Sequence, residues 1–390
     1  MKTDLSLKQF ICTLTFALLQ LTYATSLSEI SQKELLMPPP PSVQAKNYII
    51  IDAETGAVIA EKNAHTQISP ASLTKLMTSY VIFHALSQNH VSLEDDVYIS
   101  TQAWKTEGSR MFLSEHSKVN LEKLLKGVIV TSANDASVAL SEHYAGSEES
   151  FYAIMNRMAQ NFGLKNTQFS SSTGLDKKNH YSSAADIAKL SSRIIQDFPE
   201  YFHWFQEEEV KHADITQSNR NQLMLKHDDI DGLKTGYTKQ AGYCLATTAK
   251  RGNTRLIIVT ANSPSAQARD RDTLALLNYA FRFFETTLVY PKDTQITTQK
   301  VYKGVLKEAH LTTHKPLWVT IPKGTTEQLL IDVEATKLIA PLDASTPSAQ
   351  LVTKINNQVI ATAPLYPHTT IQESTGIHRL IDQLKLMVGL

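Results

Sequence analysis

Three short polar motifs stand in order along this chain: Ser72-Leu73-Thr74-Lys75, Ser132-Ala133-Asn134 and Lys234-Thr235-Gly236. If they act together, the fold has to bring a helix start, a loop and a strand to one place. Each is weak alone. At average usage a chain of this length holds on the order of one or two chance Ser-x-x-Lys matches and about one Ser-x-Asn, but only roughly a tenth of a Lys-Thr-Gly. Their order and spacing argue against chance, and together they carry the groups that acyl transfer by a serine nucleophile needs.

A serine hydroxyl is a poor nucleophile near neutral pH and needs a base within hydrogen-bond reach. Positions i and i+3 of a helix share a face, so Lys75 can fold back on Ser72, and the helix N-terminus adds partial positive charge. Burial beside a second cation lowers a lysine's pKa; Lys234 is the candidate cation, which makes Lys75 a candidate neutral base. The second motif follows a helical run ending at Val130, and on a loop positions i and i+2 can converge. Ser132 is the candidate for passing a proton to the leaving amine. Asn134 offers an amide oxygen to a lysine ammonium and an NH2 to a substrate carbonyl, although Asn134-Asp135 also fits a plain helix cap. Lys234, Thr235 and Gly236 precede Tyr237 in a short strand, where Gly236 lets a substrate approach the backbone and a free edge can pair with an extended peptide. The backbone N–H groups of Ser72 and Tyr237 are the expected oxyanion hole.

The chain is long enough, at 390 residues with 42% hydrophobic and 19% charged, for two or three domains with a sizeable core. Basic and acidic residues balance at 38 each, so no global field draws it to nucleic acid. Lys2, Lys8, an apolar run from Phe10 to Leu21 and Thr22-Tyr23-Ala24 read as a cleavable secretory signal over residues 1–24. That run is short of the roughly 20 apolar residues that span a bilayer. Cys12 leaves with the signal, so Cys244, in an apolar strand-like run, reads as a buried structural thiol without a disulfide partner. Residues 25–45, ending in Pro38 to Pro41 and the few positions beyond, read as a stiff linker.

Folded sequence is expected over 46–286 and 287–374. Tyr48 to Asp52 and Val58 to Ala60 read as a hairpin, and Ser69-Pro70-Ala71 opens a helical pattern with Ser72 in its first turn. Helical runs follow at Leu121 to Val128, Ala136 to His143, Phe151 to Phe162 and Ala184 to Ile195. Strands return at Tyr243 to Ala249 and Leu256 to Ala261, and a helix from Asp270 to Phe284 closes the unit. The later segment alternates over Leu317 to Ile321 and Leu351 to Ile355, as a small all-β domain does. In residues 375–390, Ile377, Leu380, Ile381, Leu384, Met387 and Val388 line one helical stripe opposite His378, Arg379, Asp382 and Lys385. Such a helix either docks on its own protein or lies in a membrane interface; its terminal position favours the membrane, and a second copy in a homodimer would strengthen a hold that one short helix makes only modest.

Beyond the three motifs stand Pro70 to Val81, Gly163-Leu164-Lys165-Asn166-Thr167-Gln168-Phe169 and Phe281-Arg282-Phe283-Phe284-Glu285. With these the chain resembles, over essentially its full length, the serine-type D-alanyl-D-alanine carboxypeptidases, low-molecular-mass penicillin-binding proteins of the peptidase S11 type. The resemblance implies an α/β (α+β) catalytic domain of the penicillin-binding transpeptidase/β-lactamase-like class, in which a helix-flanked antiparallel sheet meets a helical subdomain at the active site. It implies removal of the terminal D-alanine from peptidoglycan pentapeptide stems through an acyl-enzyme on Ser72, acylation of that serine by β-lactam antibiotics, and no cofactor. It places the protein on the periplasmic face of the bacterial inner membrane, and it puts Arg269 where a guanidinium meets the substrate's terminal carboxylate. Two departures bear on substrate preference: Tyr237 stands where some relatives have histidine or threonine, and Trp104 to Phe112 is shorter than the loop of some members.

A class A β-lactamase also needs a glutamate in a loop after the second motif, and Ser170 to Asp176 supplies none. An endopeptidase that cuts cross-links uses the same chemistry and is the nearest alternative; a carboxylate contact at Arg269 favours the carboxypeptidase. A catalytically silent cell-wall scaffold would not need Ser72, Lys75, Ser132, Asn134 and Lys234 intact. His310 and His314 have helical spacing but no intervening glutamate, so no metal site is expected.

Overall fold

The computed structural model of this protein describes residues 38–387. The expected signal segment with Cys12, most of the expected linker, and Val388 of the terminal stripe lie outside the described residues. Pro38 to Pro41 carry no helix or strand, and the folded unit begins at Ser42.

A five-stranded sheet organises the first domain. Its order is Val58–Lys62, Asn47–Asp52, Thr254–Ser263, Gly242–Arg251, Ile230–Thr238, with every neighbouring pair antiparallel. The expected hairpin and both returning strands are there. Period-two alternation then sends successive side chains to opposite faces. Ile49 and Ile51 join Leu233, Cys244, Ala246, Ile257 and Val259 in a large cluster with the helical residues, while Tyr48 and Ile50 join Leu245, Leu256 and Ile258 against the closing helix. Cys244 is a buried free thiol, and burial pushes its pKa up to about 11, so it packs as a small apolar residue.

Helices Lys75–Ser87, Leu121–Val130, Asn134–Ala145, Glu148–Asn161 and Ala184–Asp197 form the helical part, each overlapping an expected run. Ser147 and Ser183 cap two of them, accepting from the Ser150 and Asp186 N–H groups. The closing helix starts four residues earlier than its apolar spacing indicates, at Ala266, because Ser265 caps it by accepting from the Ala268 N–H. The helix expected to open at Ser69-Pro70-Ala71 differs more. Ala71 has φ 47°, outside the helical region, a 3-10 turn spans Ala71–Thr74, and regular helix begins only at Lys75.

The strand Phe284–Tyr290 crosses the expected boundary between 286 and 287, pairing with Leu317–Pro322. Beyond it lies a six-stranded sheet that includes Gln295–Tyr302, Glu308–Thr312, Ala349–Ile355 and Gln358–Pro367, closed over Val301, Leu311, Leu351 and Leu365. Its seam with the first domain is polar. Asp52 Oδ2 accepts from Thr286 Oγ1 at 2.5 Å, and the Thr55 and Thr320 hydroxyls meet at 2.6 Å. His310 lies on a strand, so it shares no helical face with His314.

Helix Ile377–Met387 ends the described chain. Its Asp382 carboxylate is buried and accepts from the Lys303 N–H at 2.8 Å and from Lys307 Nζ at 3.2 Å. Ile377, Leu380, Ile381, Leu384 and Met387 are all exposed.

Candidate active site

The three motifs meet. Lys75 Nζ lies 3.2 Å from Ser72 Oγ and donates to Asn134 Oδ1 and to the Thr173 carbonyl, both at 2.6 Å. Each arm comes from local chemistry. The 3-10 turn delivers Ser72 and the first helical residue is Lys75, so both face the helix Asn134–Ala145, whose first residue is Asn134. Lys75 is 1% exposed. Burial above all, then the charge of Lys234, holds its ammonium well below the ordinary lysine range, with Asp135 pulling weakly the other way.

Ser132 sits at φ 64° between the end of Leu121–Val130 and Asn134, a left-handed position that lifts its side chain out of helical register. Its Oγ is buried and hydrogen-bonds to no group among the described residues, yet Ser132 lines the same cleft as Ser72. The helix that follows is tied at its first turn to the segment 111–113: the Asp135 carboxylate accepts from the Met111 N–H at 3.0 Å and the Leu113 N–H at 3.2 Å. Asn134 is spent more fully than its sequence position indicates. Besides taking Lys75 on its oxygen, it gives one amide hydrogen to the Glu107 carbonyl at 2.6 Å, leaving a single N–H for any substrate.

Lys234, Thr235 and Gly236 lie on Ile230–Thr238, the edge strand of the sheet, which leaves one side of its backbone free. A Cβ on Gly236 would stand 3.2 Å from the Ser72 nitrogen and from the Pro70 carbonyl oxygen, so glycine is what allows the strand and the Ser72 turn to close on each other. Lys234 is buried and donates to the Thr235 carbonyl at 3.0 Å; burial, then Arg220 and Arg269, push its pKa down to about 7. Tyr237 is 56% exposed, with its ring centroid 4.4 Å from that of Tyr243 across the hairpin.

The cleft in front of Ser72 has a volume of about 730 Å³, and Ser132, Arg220, Thr235, Tyr237 and Arg269 line it. Arg269 is buried against Asp270, its Nε donating to Oδ1 at 2.8 Å, which fixes the guanidinium at the rim of the cleft. Arg220 was not legible as a site residue. It follows a short polar hairpin, Glu209–His212 with Ile215–Ser218, and its N–H is held by the Val130 carbonyl at 3.2 Å. No motif or alternation marks that segment; only the excess of positive charge required near Lys234 points to it.

A second missed support lies behind the turn that carries Ser72. His180 is buried, and burial pushes its pKa down to about 4. Its Nδ1 accepts from the Ser170 N–H at 3.1 Å, so the neutral ring carries its proton on Nε2 and donates to Thr74 Oγ1 at 2.8 Å.

The D-alanyl-D-alanine carboxypeptidase family (peptidase S11) matches residues 34–265, and the C-terminal domain of penicillin-binding protein 5 matches residues 284–373. The D-alanyl-D-alanine carboxypeptidase DacC of Escherichia coli (strain K12) is 37% identical over 351 residues, covering 88% of each chain. The crystal structure of penicillin-binding protein 5 from Haemophilus influenzae superposes with a TM-score of 0.83 at 37% identity, covering 86% of this chain and all (100%) of that one. Penicillin-binding protein D2 of Listeria monocytogenes, solved in its ampicillin-bound form, superposes with a TM-score of 0.58 at 28% identity, covering 63% of this chain and 100% of that one. With a family match over more than half its length and a relative covering most of it, the chain belongs to the D-alanyl-D-alanine carboxypeptidase family, the serine hydrolases of peptidase family S11, and has their penicillin-binding transpeptidase domain followed by an all-β domain.

Proposed function

We propose that Ser72 is the nucleophile by which this serine carboxypeptidase removes the terminal D-alanine from peptidoglycan pentapeptide stems. The observation that carries this is the approach of Lys75 Nζ to Ser72 Oγ at 3.2 Å, in surroundings that favour the neutral amine. Lys75 takes the hydroxyl proton as Oγ attacks the carbonyl between the two D-alanines. The developing oxyanion is held by the Ser72 and Tyr237 N–H groups, a role supported by the closeness of Gly236 to the Ser72 nitrogen. Ser132, whose hydroxyl has no hydrogen-bond partner among the described residues and which lines the same cleft, relays the proton to the leaving amine. The leaving D-alanine departs with its carboxylate against Arg269, with Lys234 and Thr235 alongside, and water then frees the tetrapeptide. The β-lactam ring enters as a mimic of the same acyl group, a reading supported by the similarity to penicillin-binding protein D2, which is solved in an ampicillin-bound form. Arg269 also separates carboxypeptidase from endopeptidase. A stem pentapeptide with a free C-terminal carboxylate should be cut at least about tenfold faster, in kcat/KM, than its C-terminal amide, because the carboxylate makes a charge-assisted hydrogen bond with the guanidinium that a neutral amide does not. Equal rates on the two would assign the cleft to internal bonds.

We further propose that the protein is exported, loses residues 1–24, and rests on the periplasmic face of the inner membrane through helix Ile377–Met387, with paired copies reinforcing the hold. The reading is supported by the way the helix is presented: Asp382 turns its polar side to the β domain while the apolar stripe faces outward. Among the described residues no helix is long and apolar enough to cross a membrane, which leaves interfacial seating as the mode of attachment for this helix. Removing residues 375–390 should shift the mature protein from membrane to soluble fraction with its D-alanine release unchanged. Retention in the membrane fraction would overturn the anchor.

A further inference from the structure

Loop 170–181 touches both halves of the cleft. Its Thr173 carbonyl accepts from Lys75, and Gly174, at φ 86°, packs so closely on the nucleophile turn that a Cβ there would stand 1.9 Å from the Ala71 carbonyl oxygen. Two residues on, Asp176 Oδ1 accepts from Ser69 Oγ at 2.7 Å and from Thr238 Oγ1 at 3.0 Å. The Thr238 oxygen itself accepts from the Ala241 N–H at 3.0 Å, so its own proton is committed to Asp176, and the turn that joins the edge strand to its neighbour is fixed by the same atoms.

The two partners of Asp176 are not arbitrary. Ser69 begins the segment that runs through Ala71, whose left-handed backbone persists only where its surroundings hold it, into Ser72. Thr238 directly follows Tyr237. One carboxylate oxygen therefore joins the segment that presents the Ser72 N–H to the strand that presents the Tyr237 N–H, while Asp176 itself lines neither cavity beside Ser72.

We propose that Asp176 is a positioning residue that sets the separation of the two oxyanion donors. The proposal rests on the oxyanion role proposed for those N–H groups. Oxyanion donors act only when they reach the transition-state oxygen at about 2.7–3.1 Å, and loss of one costs on the order of 10²–10³ in kcat. Loosening their spacing costs less than losing a donor. It also acts on the transition state more than on the bound ground state, so the effect falls on kcat and on the acylation rate.

The test uses the mature full chain and follows kcat and KM for D-alanine release, the rate of acylation by a fluorescent penicillin, and the melting temperature. Asp176→Ala should lower kcat and the acylation rate by about tenfold each with KM within about twofold. Asp176→Asn, which keeps an acceptor oxygen, should recover most of the loss. Thr238→Val removes one of the two donors and should give a smaller loss in the same two quantities. Adding Asp176→Ala to it should cost less than the two separate losses combined. If Asp176→Ala does not fold, Thr238→Val against wild type carries the test through the same kcat and acylation readouts. Unchanged kcat, a loss confined to KM, or fully additive losses would overturn the positioning role. An Asp176→Ala enzyme as fast as a wild type whose release depends on Ser72 removes only this inference; release that does not depend on Ser72 removes the reading beneath it.

Discussion

Ser72→Ala should leave no covalent penicillin label and lower D-alanine release by about 10⁴-fold or more, with the fold intact. The magnitude follows from the role. When the group that forms the covalent intermediate is removed, the remaining binding and oxyanion contacts have no bond to act on, and losses of this order or larger accompany the loss of a serine nucleophile. Ser72 and Ser132 both line the cleft, so the test discriminates between them. Ser132 Oγ has no hydrogen-bonded base in this arrangement, whereas Ser72 Oγ has Lys75 Nζ at 3.2 Å and shares its turn with a lysine that the protein keeps from holding its proton firmly. Ser72 is part-buried at the start of the 3-10 turn and its Oγ has Lys75 Nζ as its one hydrogen-bond partner among those the described residues provide, so alanine there should leave the melting temperature within a few degrees of wild type. A label that survives on Ser72→Ala would transfer the nucleophile's role to Ser132.

Lys75→Ala should slow acylation by about 10²–10⁴-fold, the range that general-base catalysis contributes. The pH profile gives this prediction its sign. Lys75 acts as a neutral amine, so acylation is lost as pH falls through its depressed pKa, well below the ordinary lysine range. In the proposed mechanism Lys234 serves as a cation, so its contribution is lost as pH rises through about 7. The wild-type rate of penicillin acylation should therefore be bell-shaped, with its falling limb near neutrality rather than near the ordinary lysine value. The two buried ammonium groups repel each other, so the limbs belong to the pair. In Lys75→Ala the rising limb should disappear, while Lys234→Ala should move it to higher pH, because one cause of the Lys75 depression has been removed. A bell that persists unchanged in Lys75→Ala would assign the base elsewhere.

The parts of this molecule that the sequence made legible are those written in period and in chemistry. The alternation of Tyr48 to Asp52 foretells a strand with Ile49 and Ile51 on one face and Tyr48 and Ile50 on the other, and the sheet realises it as two separate cores. Ser72 and Lys75 three apart, and Lys234 as the cation that depresses Lys75, follow from residue types and spacing alone. What escaped was set by backbone positions that no pattern encodes. Ala71 in a left-handed conformation stands ahead of a regular helix that begins only at Lys75, and Ser132 sits at positive φ just before Asn134. Arg220 follows a hairpin that is short and polar, and no motif marks it. Asp176, Thr173 and His180 lie in a loop whose sequence is marked only by its lack of a hydrolytic glutamate, yet that loop holds the lysine, the nucleophile turn and the edge strand at once. Loops of this kind carry function through where their carbonyls and carboxylates end up, which is decided by the whole fold.

The most direct measurement is the mass of the mature wild-type protein after brief exposure to benzylpenicillin, followed by peptide mapping of the adduct, with free D-alanine from a stem pentapeptide measured on the same preparation. The account predicts one penicilloyl group per chain, on the peptide that contains Ser72, and one D-alanine released per pentapeptide, with release blocked in proportion to labelling. An adduct on the peptide containing Ser132, or D-alanine release that continues in fully labelled protein, would contradict it.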